Sequence, residues 1–156
     1  MKNKDLNIYI SYYHIDTYFK DELRKIIGDN YNIKSSPQEY YLKNDIHKYY
    51  EQLNKANLDD NIFIVLLGTD TYKSKNVDWD IEYGLQHNST IIGLCLPTND
   101  DYKKRECNID HIPVKLAYNI YSGYASYYDW TDNIEDLEDY INITSNQKLN
   151  KHAIIY

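Results

Sequence analysis

The sequence predicts an α/β fold: a single doubly wound, mostly parallel sheet with helices on both faces. Three observations carry this. Residues 62–67 and 91–96 are continuous apolar runs, the pattern of central parallel strands covered on both sides. Segments with apolar residues at helical spacing alternate with these and other strand-like runs. Residues 61–84 read as a buried strand, a polar loop and a helix with acids in its first two turns, the unit from which such sheets are wound. In open α/β sheets ligands bind beyond the carboxyl ends of the strands, so chemistry is expected in that loop and the first helical turns.

Taken in order, the first strand is residues 7–10, Asn-Ile-Tyr-Ile. A loop over 11–16 ends in Asp16, a residue type suited to cap a helix. That helix runs to Ile27 with Phe19, Leu23, Ile26 and Ile27 inward, and Gly28 stops it. A short strand at 31–34 and a loop at 35–43, with Pro37, follow. Asn44 or Asp45 caps a second helix whose Ile46, Tyr49, Leu53 and Ala56 share a face. Gly68 ends the strand at 62–67, and 69–74 is turn and cap chemistry. Asn76 is the expected N-cap of the next helix, with Val77, Ile81, Gly84 and Leu85 at helical spacing. Pro97 closes the strand at 91–96, and the polar, charged residues 98–113 read as a surface excursion. Residues 125–130 form the last strand. Thr131 or Asp132 then caps a final helix with Ile134, Leu137 and Ile141 inward. One domain over 1–156 is expected, with its core at 7–142 and a tail at 143–156 to which the pattern assigns no place.

With 156 residues the chain is long enough to bury a core. Its 42% hydrophobic and 26% charged residues are ordinary for a soluble protein, whereas its 19 tyrosines are not. Together with many Asn, Lys and Ile, they fit an A/T-biased coding sequence. The net charge of −7 disfavours nonspecific nucleic-acid binding and an anionic membrane surface. No apolar run reaches the length of a membrane span, and residues 1–5 lack the apolar core of a signal peptide. Cys95 lies in an apolar run and Cys107 in a polar loop, so a reducing cytoplasm is the expected location.

Motifs for nucleotide phosphate loops, paired-cysteine zinc sites and H-E-x-x-H metalloenzymes are missing. The five histidines, at 14, 47, 87, 111 and 152, are scattered, and no metal site is expected. The first strand leads into Ser-Tyr-Tyr-His, unlike a Ser/Thr/Gly-rich phosphate turn. An aspartyl-phosphate receiver fits poorly as well, because Asp5 precedes that strand and Asp16 opens the helix.

Ile8-Tyr9-Ile10-Ser11-Tyr12-Tyr13-His14-Ile15-Asp16 resembles the first box of TIR domains, an apolar strand ending in Ser-Tyr with an Asp shortly after. Residues 65–81, Val-Leu-Leu-Gly-Thr-Asp-Thr-Tyr-Lys-Ser-Lys-Asn-Val-Asp-Trp-Asp-Ile, resemble the TIR segment that holds the catalytic acid. The wording is most similar to the bacterial TIR-like family that includes the signalling proteins of Thoeris anti-phage systems. Its members run Leu-Ile-Gly, a Thr, then Trp-Val-x-Tyr/Trp-Glu-Ile. The resemblance spans residues 7–97 and, more faintly, 112–141. Two positions depart: Asn76 stands where the family has Trp, and Asp80 where it has the catalytic Glu.

The resemblance implies a flavodoxin-like, TIR-like fold and a chemistry. Enzymatic TIR domains cleave the nicotinamide–ribose bond of NAD, and some join the ADP-ribose to itself or to an acceptor as a signal nucleotide for a separate effector. NAD enters as substrate and no cofactor is implied; the implied partners are a phage-derived trigger and further copies meeting through TIR surfaces. Nicotinamide is already a cationic leaving group, so what the site must supply is a carboxylate for an oxocarbenium-like transition state. Asp80 is the first choice and Glu82 the second. At roughly 100° per residue, Asp80 falls on a flank with Tyr83 and Gly84, and Glu82 on a solvent-like flank with Asp78 and Gln86. Ser11, Tyr12 and Tyr13 would surround the nucleotide, at most one of the two tyrosines facing it, with Asp70 in the loop and Trp79 on a base or a neighbouring helix. The opposing reading is a TIR-like interaction or nucleotide-binding module without turnover. Asp is a methylene shorter than Glu, and a misplacement of about 1 Å costs on the order of a hundredfold in rate.

Overall fold

The computed structural model describes residues 6–35, 45, 48–51, 61–104 and 107–155. Its elements are β1 (Asn7–Ser11), α1 (Thr17–Ile27), β2 (Asn32–Ser35), β3 (Asn61–Leu67), α2 (Lys75–Gln86), β4 (Thr90–Cys95), α3 (Val114–Tyr121), β5 (Ser126–Asp129) and α4 (Ile134–Gln147). Residues 48–51 are helical too. The five strands are all parallel and form one sheet in the order β2-β1-β3-β4-β5. This is the doubly wound fold expected from the sequence.

Alternation along the strands divides the core in two. Ile8, Ile10, Ile62, Ile64, Leu66, Ile92 and Leu94 face Leu23 and Ile27 of α1 and Leu137 and Ile141 of α4. Tyr9, Phe63, Val65, Leu67 and Ile91 face Val77, Ile81 and Leu85 of α2, Leu116 and Ala117 of α3, and Tyr50. Every residue of 62–67 therefore has a core to enter, which is why that run carries no polar alternation. The winding reverses between β1 and β3, which pair in register from Asn7↔Asn61 to Ser11↔Val65. The loops after these two strands meet at this topological switch point.

Several boundaries differ from the expected ones for local reasons. Gly28 stops α1 with φ 65°, its N–H bonded to the Arg24 carbonyl. Ser74, not Asn76, caps α2: its Oγ accepts the Val77 N–H at 3.2 Å. A 3-10 turn at Thr71–Lys73 delivers Ser74 in extended conformation, which leaves Asn76 inside the first helical turn. Asn133 caps α4 by accepting the Glu135 N–H at 2.8 Å, while Thr131 accepts the Asn133 N–H. Helix α3 was not read from the sequence at all. Of the expected second helix, Ile46, Leu53 and Ala56 lie outside the described residues, as does most of the loop at 35–43.

The polar stretch after β4 is more than a surface excursion. Asn99 and Asp101 are buried. The Asn99 side chain donates to the carbonyls of Leu67 and Gly68, each at 3.1 Å, and so satisfies the end of β3, where the ladder stops. Asp101 accepts the Asn108 N–H at 3.0 Å. Among the described residues no helix is long and apolar enough to cross a membrane.

The C-terminal segment is tied to α3 through Asn119, which has no exposed surface. Its amide donates to the Ile154 carbonyl at 2.9 Å and accepts the Ile154 N–H at 2.7 Å. Asn119→Ala is expected to lower stability by about 1–3 kcal/mol by unpairing these groups. A urea midpoint with limited proteolysis checks this: residues after Asn150 should be cut first, and an unchanged midpoint would mean the segment contributes nothing.

Candidate functional site

The site grows from two short segments. Ser11 ends β1, and Tyr9, two residues earlier, points to the same face. Asp80 is the sixth residue of α2, on the flank turned to that face, and has no exposed surface. Ser11 Oγ donates to Asp80 Oδ2 at 2.6 Å, and the Tyr9 hydroxyl donates to Oδ1 at 3.2 Å. The Tyr50 hydroxyl, from the helical residues 48–51, donates to the same Oδ1. The Tyr50 ring stacks on Tyr83 with centroids 4.1 Å apart, and the Tyr83 hydroxyl donates to the Tyr50 carbonyl at 3.3 Å. Tyr49 adjoins the group: burial first, and the Asp80 charge second, push its hydroxyl above the ordinary tyrosine value.

This arrangement matches the needs of a carboxylate away from water. An ionised carboxylate only accepts hydrogen bonds, and burial without donors would be costly. Three hydroxyls meet that need here. Such groups can equally hold the hydroxyls of a sugar, and in a low-dielectric setting the carboxylate acts strongly on any positive charge that develops beside it.

Of the other residues singled out in the sequence, Glu82 is half-buried on α2, and its neighbour in the helix, Asp78, pairs with Lys115 at 3.0 Å. Tyr12 goes to the opposite face of the sheet, packed with Ile10 and Leu23, with Lys20 5.6 Å above its ring. Tyr13 stays in the loop, half-buried, its ring 4.3 Å from His14. Asp70 lies beyond the end of β3 and pairs with Lys73 at 3.3 Å. Trp79 is partly buried against the Tyr9–Phe63 side of the core. The structure thus joins Ser11 to Asp80 and sends Tyr12 elsewhere.

Sequence reasoning missed Tyr9, Tyr50 and a second role for Asp16. Tyr9 follows from Ser11, because residues two apart on a strand share a face. Tyr50 is 30 positions from Asp80 and carries no local signal. Asp16 occupies the N-cap position of α1 yet makes no capping hydrogen bond. Its side chain turns instead into the switch point, where it is buried over Gly68, with Thr71 Oγ1 3.5 Å from Oδ2. Thr71 also accepts the Gly68 N–H at 2.8 Å and donates to the Leu66 carbonyl at 3.1 Å. Burial pushes the Asp16 carboxyl above its ordinary value of 3.8, opposed by the Thr71 hydrogen bond. Among the described residues no group of three or more His, Cys, Asp or Glu is placed to hold a metal ion.

No curated protein matches the sequence. The family described as Thoeris protein ThsB, TIR-like domain, matches residues 9–101, more than half of the chain, and the match contains Tyr9, Ser11, Tyr50 and Asp80. On that match, and on a fold of the kind it requires, the chain belongs to the TIR-like domain family of Thoeris protein ThsB.

Proposed function

We propose that this member of a defence family consumes NAD, cleaving the nicotinamide–ribose bond and passing the ADP-ribose on as a cyclic or conjugated signal for a separate effector. The observation that carries the reading is the Asp80 carboxylate, enclosed beside Ser11 at the end of β1 by hydroxyl donors. The ribose of NAD would place its hydroxyls on Asp80. The glycosidic bond then breaks with its electron pair on the nicotinamide nitrogen, which discharges the ring cation. Positive charge passes to the ribose, where Asp80 stabilises it. Water adds to give ADP-ribose and a proton; a nucleophile of the ADP-ribose itself, or of an acceptor, adds to give a signal nucleotide. The reading includes a phage-derived trigger, self-association through TIR surfaces and a cytoplasmic setting.

A second reading is favoured by one observation: Asp80 has no exposed surface and both of its oxygens are engaged. A carboxylate that merely ties α2 to β1 has this geometry, and the chain is then an interaction or nucleotide-binding module. Purified protein incubated with NAD, resting and in the presence of phage lysate, separates the two by chromatography of nicotinamide. Release under either condition is the expected result. Binding of NAD without release under both would establish the module.

A further inference from the structure

We propose that the Tyr50 hydroxyl occupies the seat of a ligand's sugar hydroxyl on Asp80, and that Tyr50 is the residue that vacates it when a ribofuranoside with a free vicinal diol binds. The inference rests on the NAD-processing reading for its substrate and goes beyond it in naming how an enclosed carboxylate becomes available.

The three hydroxyls on Asp80 are not equally fixed. Tyr9 and Ser11 sit on β1, a strand hydrogen-bonded to β2 on one side and β3 on the other. The backbone that carries these two hydroxyls cannot shift without disturbing a ladder at the centre of the sheet. Tyr50 lies outside the sheet, on residues 48–51, buried, with its ring stacked on Tyr83 and edge-on to Tyr9 at 6.5 Å and its carbonyl accepting the Tyr83 hydroxyl. Its hydroxyl can leave Asp80 while every strand stays in place.

The chemistry of the exchange selects the ligand. A sugar hydroxyl is the same kind of donor as the phenol it replaces, so the carboxylate keeps its hydrogen bonds throughout. No buried charge is left unpaired, which is the costly outcome. A diol also reaches a carboxylate through two hydroxyls where Tyr50 offers one. An anionic group, such as a phosphate, would instead meet the Asp80 charge. The seat is therefore specific for the neutral diol edge of a ribose and rejects the diphosphate of the same molecule. Tyr50 acts as a specificity-determining and gating residue, its phenol a stand-in for substrate.

Tyr50→Phe keeps the ring and its stacking and removes the competing hydroxyl. Two effects of opposite sign follow. The free protein loses stability, because Asp80 loses a donor. ADP-ribose, titrated by calorimetry, binds about threefold to tenfold tighter, and KM for NAD falls. A purely structural Tyr50 would lower stability and weaken binding together. Carbon-13 labelling of tyrosine Cζ gives a second measurement on the unmutated chain: the Tyr50 signal shifts when ADP-ribose is added. Tighter binding with the shifted signal supports the exchange. Equal or weaker binding, or an unmoved signal at saturation, overturns it while nicotinamide release by the unmutated chain leaves the NAD reading standing. If neither protein releases nicotinamide but Tyr50→Phe binds ADP-ribose more tightly, the cleavage reading fails and the exchange stands. ADP-ribose binding to neither protein overturns the exchange.

Discussion

Asp80→Asn is expected to lower nicotinamide release by at least about a hundredfold with the fold retained, and Glu82→Gln is expected to leave release largely unchanged. The substitution keeps the shape of the side chain and removes its charge. Asn Oδ1 still accepts from Tyr9 and Tyr50, and its amide can donate to Ser11, whose hydroxyl accepts as readily as it donates. All three hydroxyls therefore keep a partner; the second amide N–H gains none of them, so the urea midpoint should fall modestly while the protein stays folded. What disappears is the negative charge on which the proposed cleavage draws, at a place with no exposed surface, where charge counts for most. Glu82 lies on the same helix two residues on, half-buried, and its carboxylate has no part in the Ser11–Asp80 contact. Nicotinamide chromatography on the three proteins, with midpoints measured beside it, decides the point. Loss of release in Glu82→Gln and not in Asp80→Asn would move the acid by two residues.

How far the site could be read from sequence depends on how local each contact is. The pairing of Ser11 with Asp80 was within reach, since a strand end and the helix after β3 lie together in any sheet wound in this order. The flank of α2 that carries Asp80 follows from helical spacing. The seat of Tyr50 did not follow, because nothing within 48–51 marks which side chain crosses 30 positions to reach α2. Helix α3 escaped for a different reason. Val114, Leu116, Ala117, Tyr118, Ile120 and Tyr121 put apolar side chains at most positions, which blurs both periods, and the polar Asn119 is fully buried in its middle. Polarity misled again at 98–113, where Asn99 is polar in order to meet the last carbonyls of β3 inside the protein. The cap of α2 was misplaced because Ser74 and Asn76 are both able caps, and the turn at Thr71–Lys73 decides between them.

The same limit applies to Asp16 and Gly68, far apart in the chain and in contact at the switch point, and it leads to a prediction on stability. A Cβ on Gly68 would lie 2.7 Å from the Asp16 carboxyl carbon, closer than carbon atoms approach. Gly68→Ala therefore forces Asp16 out of its place and is expected to cost about 1–3 kcal/mol. Asp16→Ala should cost far less at neutral pH, because burial already penalises the ionised carboxyl. Its folded-state pKa is raised above the ordinary 3.8, so the proton is held more tightly in the folded chain. The contribution of this group to stability is fully present below 3.8 and is lost as pH rises through the raised value. Urea midpoints for the unmutated chain, both single variants and the double variant, at acid and at neutral pH, test the contact as a cycle. The double variant should recover most of what Gly68→Ala loses, and Asp16→Ala should flatten the acid-side slope. Equal losses in Gly68→Ala and in the double variant would place the obstruction in the backbone of the two loops. Recovery would instead show that the glycine is required by one carboxylate, the Asp16 side chain buried over it at the switch point.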